Sequence, residues 1–188
     1  MAAGDLCVLD DVKRWISPGG QSAEADPLLA RLITAVSADI KTATGRQLLT
    51  GTYTETLNGK GGTTLFLRER PVTAITALTI DGTGVAVSTG TTVAGWVLGG
   101  DQRSLYLRGG TFSRGIQNVS VTYTGGYATV PADLVDCAVR TVAHRFVGQR
   151  WIAQNRRTVG NDTTEFDRSP WPKEALEILG RYTLRVAA

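Results

Sequence analysis

Residues 72–84 read VTAITALTIDGTG. Val72, Ala74 or Ile75, Leu78 and Ile80 fall in an extended, β-branched run, and Asp81-Gly82-Thr83-Gly84 supplies the chemistry of a tight hairpin turn. The stretch therefore predicts a strand entering a hairpin. Its neighbours repeat the pattern. Thr52-Tyr-Thr-Glu-Thr-Leu alternates, Asn58-Gly59-Lys60-Gly61-Gly62 turns, and Thr64-Leu-Phe-Leu extends again. Gly95-Trp-Val-Leu, Ser104-Leu-Tyr-Leu and Asn118-Val-Ser-Val-Thr-Tyr add three more short strands. About six strands between Gly-rich turns predict a small antiparallel sandwich or barrel over residues 50–124.

Outside this segment the period is helical. Leu6, Leu9, Val12 and Ile16 stripe one face of a first helix over about Asp5 to Ile16, ended by Ser17-Pro18-Gly19-Gly20. Asp26 is placed to cap a second helix with Pro27 in its first turn. Leu28, Leu29, Leu32, Ile33, Val36 and Ile40 continue its apolar stripe, and Gly45 is a left-handed stop. Helix returns at Pro131, with Leu134, Val135, Ala138, Val139, Val142 and Phe146 in phase, running on toward Trp151. Residues 153–170 lose any apolar period and read as an extended arm or loop. A short last helix over about Pro172 to Leu184 carries Leu176, Leu179 and Tyr182. Gly180 weakens it by about 1 kcal/mol relative to Ala, so it needs a surface to lie on.

The expected fold class is α+β: a bundle of long helices with an inserted small antiparallel β subdomain and a C-terminal arm plus short helix. The expected boundaries are residues 1–49 for the first helical segment, 50–124 for the β insertion, 125–154 for the second helical segment and 155–188 for the arm and helix.

The 188 residues are 42% hydrophobic and 20% charged, enough to bury a core and too apolar for disorder. The formal charge of +3 implies no global electrostatic grip on nucleic acid. No window approaches the ~18 continuous apolar residues of a membrane span. The start, MAAGDLCVLDDVKRW, lacks the basic and then apolar pattern of a signal peptide, so a reducing cytosol is the expected place of synthesis. Cys7 and Cys137, with no CxxC pair and a single His, exclude structural zinc and iron–sulfur sites and read as buried free thiols.

Chemistry-bearing motifs are sparse. His144 sits in a helix with no GxSxG partner and reads as a helix-surface or interface side chain. Gly59-Lys-Gly-Gly-Thr-Thr lacks the Gly-Lys-Ser/Thr ending of a phosphate loop and reads as a hairpin turn. Asp162, Glu165 and Asp167 show no regular cation-ligand spacing. No catalytic residue, metal or cofactor is expected.

Charge and aromatic placement are more informative. Residues 1–49 carry net −1, residues 50–124 net +2 and residues 125–188 net +2. Arg140, Arg145, Arg150, Arg156 and Arg157 concentrate around the end of the third helix, either as an ordinary solvated face or as a positive collar near phosphates. Trp151, Phe166, Trp171 and Tyr182 lie in or beside the C-terminal arm, and either anchor a partner or fold back on the chain's own core.

These residues together resemble the head–tail connector (head-completion, neck adaptor) proteins of long-tailed bacteriophages. Asp11-Val-Lys-Arg-Trp-Ile is similar to the family's opening helix. Leu29 through Arg46, LARLITAVSADIKTATGR, is similar to its second helix ending in Thr-Gly-Arg. Arg70-Pro-Val-Thr-Ala-Ile is similar to its Arg-Pro-Val strand entry, and Tyr123-Thr-Gly-Gly-Tyr-Ala-Thr-Val-Pro-Ala-Asp-Leu to the join between last strand and third helix. The match covers most of the chain in the right order, loosening over residues 155–170.

The resemblance implies a structural virion protein without catalysis, assembled in the host cytoplasm and residing in the neck at the portal vertex. It implies a ring, usually a dodecamer, that sits on the portal protein, extends the DNA channel and docks a downstream stopper or tail terminator. DNA would pass through non-specifically. On this reading Trp171, Leu176, Leu179, Arg181 and Tyr182 are the expected portal-side anchors, and Arg156 and Arg157 face the channel or an interface. The rival readings are a nucleic-acid-binding module using the Arg-rich third helix, another neck protein such as a stopper or tail terminator, and a carbohydrate-handling enzyme on the β segment. The last would have only Glu55, Glu69, Asp81 and Asp101 from which to draw paired carboxylates.

Overall fold

The computed structural model describes residues 4–17, 23–149 and 169–183 in full and the backbone of 156–159 and 162–165. The Pro18-Gly19-Gly20 turn, Arg150, Trp151, Phe166 and Asp167 lie outside the described residues, as do the side chains of Arg156, Arg157, Asp162 and Glu165. The chain is α+β and divides into two compact units, Met1–Gly45 with Val130–Ala188, and Arg46–Thr129.

The first unit holds helices α1 (Leu9–Ile16), α2 (Asp26–Thr44), α3 (Ala132–Gly148) and α4 (Lys173–Tyr182), and a ribbon of β8 (Arg156–Val159) and β9 (Asp162–Glu165). Two of the four helices are long, at 19 and 17 residues; α1 and α4 have 8 and 10. α3 packs against all three others. The expected stripes are the buried ones: Leu29, Ile33, Val36 and Ile40 of α2 and Leu134, Ala138, Val142 and Phe146 of α3, the two helices packing together. Each of the larger of these side chains contributes about 1.5–3 kcal/mol on leaving water. Cys7 and Cys137 are buried free thiols within this core. Gly45 ends α2 in the left-handed region at φ 66° and ψ 22°.

Two local expectations are corrected. α1 begins at Leu9, four residues later than the expected start at Asp5; in the preceding non-helical segment Leu6 N–H donates to the α2 side chain Ser37 Oγ at 3.0 Å. Asp26 is the first residue of α2 and does not cap it. A 3₁₀ turn, Ala23–Ala25, runs straight into the helix and puts Ala25, with helical dihedrals, at the cap. The Asp26 carboxylate instead pairs with Lys13 Nζ at 2.8 Å.

The second unit contains β1 (Gly51–Gly59), β2 (Thr64–Phe66), β3 (Val72–Ile80), β4 (Thr83–Gly84), β5 (Gly95–Leu98), β6 (Ser104–Arg108) and β7 (Gly115–Gly125). They form two antiparallel sheets, β1-β7-β3-β4 and β2-β6-β5. The central strand β7 buries Val119, Val121 and Tyr123, the period-two pattern of a strand covered on one face. These residues share one core with Val72 and Leu78 of β3, Leu65 and Leu105 of the second sheet, and the loop residues Leu67 and Phe112. Asp81 and Gly82 both take positive φ, 51° and 78°, as a primed two-residue hairpin requires. The Arg70-Pro71 peptide is cis.

Candidate functional site

The C-terminal helix shows which of the expected anchors are available. Pro172 stands at the N-cap and the chain then turns Lys173-Glu-Ala-Leu-Glu-Ile-Leu-Gly-Arg-Tyr into α4. Ala175 and Leu179, one turn apart, are the residues α4 buries. Leu179 is 4% exposed, so this anchor holds α4 on its own chain. Leu176, one residue on from Ala175, is 51% exposed, and Arg181, more than a turn further on, is exposed as well. Tyr182 is half-buried and its hydroxyl donates to Asp133 Oδ1 at 2.7 Å. Trp171 is also half-buried, with the Arg145 guanidinium 5.4 Å above its ring.

A polar clasp fixes the entry to α4. Ser169 Oγ donates to the Trp171 carbonyl at 2.7 Å, and Arg145 Nε donates to the Pro170 carbonyl at 3.3 Å. His144 Nε2 lies 3.0 Å from the Ser169 carbonyl. A carbonyl only accepts, so His144 carries its proton on Nε2 and acts as a strut. Arg145 also pairs with Asp39 at 2.7 Å, tying α2, α3 and the α4 entry together.

The same contacts consume the charge of the third helix. Arg140 pairs with Asp136 at 2.7 Å and stacks 4.9 Å over the Trp15 ring. With Arg145 also engaged, the two described α3 arginines are cross-links within the unit. Trp15, 51% exposed, borders an open groove of about 340 Å³ between α1 and α3, lined by Asp11, Val135, Asp136 and Val139 among others.

Reactive chemistry finds little here. Burial, reinforced by Asp5 and Asp11, pushes the Cys7 thiol up to about 12. Burial likewise raises Cys137 to about 11 against a lowering hydrogen bond from Thr141. Both are therefore protonated and non-nucleophilic at neutral pH. Among the described residues no three His, Cys, Asp or Glu side chains are grouped to hold a metal ion.

A cluster in the β unit was not visible from the sequence. Arg46 Nη2 donates to the Arg70 carbonyl, so the Thr-Gly-Arg and Arg-Pro-Val motifs meet in space. Glu69, buried between them, accepts from the backbone of Gln47 at 2.9 Å and of Leu48 at 3.4 Å. Its own N–H donates to Tyr123 Oη at 3.0 Å, and Tyr123 in turn hydrogen-bonds Glu55. Arg103 comes from the β5–β6 turn, where Val72 N–H donates to the Gln102 carbonyl at 2.8 Å. Burial, and then the charges of Arg46 and Arg103, depress the pKa of Arg70. Arg46 and Arg70 stood in the sequence only as parts of two separate motifs, and Arg103 in none.

The helical unit thus carries exposed Trp15 and Leu176, and the β unit an arginine cluster. The profile of the head completion protein family matches residues 5–184, and the chain belongs to that family. Three solved structures share the fold across 100% of this chain. A chain from the neck of an empty gene transfer agent (GTA) particle, computed with C6 symmetry, is 21% identical at a TM-score of 0.63, with 94% of its length covered. A chain from the virion of a native GTA particle is also 21% identical, at 0.61 with 94% covered. One from the neck of a native GTA particle, computed with C12 symmetry, is 20% identical at 0.56 with 98% covered. No curated protein matches the sequence.

Proposed function

We propose that this protein is a head–tail connector: a non-enzymatic structural protein of the virion neck that forms a ring, in twelve copies, on the portal protein. The ring extends the DNA channel and docks the next neck or tail protein, a stopper or tail terminator. The observation that carries this reading is the family match over residues 5–184. Chains of the same fold in C6 and C12 particle necks support the ring. A closed ring needs two different faces on each subunit, and this chain offers candidates in the α1–α3 groove and the outer face of α4.

Within this reading Leu176 and Arg181 contact the portal, while Trp171 and Tyr182 shape the edge of the contact and Leu179 holds the helix in place. Arg156 and Arg157, on strand β8, face the channel or a neighbouring subunit. The test is electron microscopy of the purified protein mixed with portal-bearing particles. A symmetric layer of added density at the portal is the expected result. Particles that stay bare at saturating protein rule the reading out, as does density attached elsewhere on the capsid.

A further inference from the structure

We propose that Arg46, Arg70 and Arg103 form a receptor for carboxylates, filled by an acidic segment of a partner protein. The three residues come from separate loops of one unit: the start of β1, the entry to β3 and the β5–β6 turn. Arg46 is only 2% exposed, and its buried Nε has no hydrogen-bond partner among the described residues. Arg103 Nε is equally unpartnered. Arg70 and Arg103 are half-buried, and both Arg46 and Arg103 lie close enough to Arg70 for their charges to act on it. None of the three forms an ion pair among the described residues. The nearest buried carboxylate, Glu69, spends its oxygens on backbone N–H groups. Three guanidiniums therefore face one engaged carboxylate, an arrangement that costs free energy until an anion arrives.

The surroundings select the kind of anion. Phe66 is 59% exposed and lies under the Arg103 guanidinium at 5.3 Å, and Tyr127 lies under Arg46 at 5.7 Å. Arginine framed by aromatic faces is the composition of protein interface hot spots. The donors a partner can reach are those of the half-buried Arg70 and Arg103, while Arg46, 2% exposed, adds its charge from within. Forked guanidinium–carboxylate pairing then fixes the partner's orientation. The inference stands apart from the ring reading, since it concerns a site on each single copy.

The test is fluorescence anisotropy of a labelled hexaglutamate peptide titrated with the full chain. The same titration follows for Arg70→Gln, Arg103→Gln, the double variant, and the control Arg108→Gln, which removes a cation elsewhere on the unit. Arg46 is left intact because its guanidinium supports the Arg70 carbonyl. If Arg70→Gln fails to fold, Arg103→Gln and Arg103→Lys carry the comparison. The expected result is saturable peptide binding, weakened about tenfold or more in the double variant and less than about twofold in the control. Absence of peptide binding overturns the proposal. So does equal weakening in the control, or a 20-base-pair duplex that displaces the peptide through the same two arginines.

Discussion

The two thiols make the residue-scale case that burial here serves packing. Their folded values of about 12 for Cys7 and about 11 for Cys137 lie above the ordinary value of 9.0. A raised folded value means that the thiols' contribution is complete below pH 9 and is lost as the pH climbs toward 11–12, because the unfolded chain ionises first. The urea midpoint should accordingly fall above pH 9, by about 1.4 kcal/mol of stability per pH unit for each thiol, and the Cys7→Ala/Cys137→Ala variant should show a shallower fall. Ellman's reagent at pH 8 should modify neither thiol faster than the protein unfolds; prompt modification of the native protein would contradict their burial. The sequence already marked both as buried free thiols. It could not show that Arg145 bridges Asp39, the Pro170 carbonyl and the Trp171 ring, because those partners lie 25 or more positions away in sequence. Arg145→Ala should cost on the order of 1 kcal/mol by thermal unfolding, as expected for a partly exposed pair plus one cation–π contact.

At the scale of elements, α4 separates residues that the sequence could not. Leu176 and Leu179 both fit an i, i+3 stripe with Tyr182 further on, and both read as anchors. The observed buried line runs Ala175, Leu179, one turn apart, so the helix is rotated to bury its small residue and leave Leu176 out. The two leucines should therefore fail differently. Leu179→Ala removes packing against α3 and should cost about 2–5 kcal/mol, read as a lower thermal midpoint and faster proteolysis near residue 173. Leu176→Ala should leave the midpoint within about 0.5 kcal/mol while reducing attachment to portal particles. A Leu176→Ala protein that binds those particles at full strength would remove this side chain from the proposed contact. The strands were more legible than the helix ends. Period-two runs and an Asp-Gly turn are local signals, and β1, β3 and β7 lie where they point. The cap at Asp26 was lost to a 3₁₀ turn, and the β8–β9 ribbon to pairing between two polar segments with no apolar period to announce it.

For the whole molecule, the question is how a protein proposed to extend a DNA channel would avoid gripping DNA. A duplex-binding protein neutralises phosphates with unpaired cations, and its affinity falls steeply with salt because counterions are released. This chain has a formal charge of only +3. Its described α3 arginines are spent on Asp136 and Asp39, and Lys13 on Asp26. Each internal pair removes a cation from the set that a phosphate backbone could use, which leaves the Arg46, Arg70 and Arg103 cluster as the concentrated charge described on a single copy. A ring would present that charge many times around an axis, which suits a smooth conduit better than a clamp. The unassembled protein should therefore give no mobility shift of a duplex oligonucleotide at ~150 mM salt, and only a weak, salt-sensitive one well below it. Arg140→Ala should change neither result, because Arg140 is already paired with Asp136 and stacked on Trp15. A tight shift that vanishes in Arg140→Ala would show that the pairing with Asp136 opens for DNA, and would return the third helix to the role of a nucleic-acid reader.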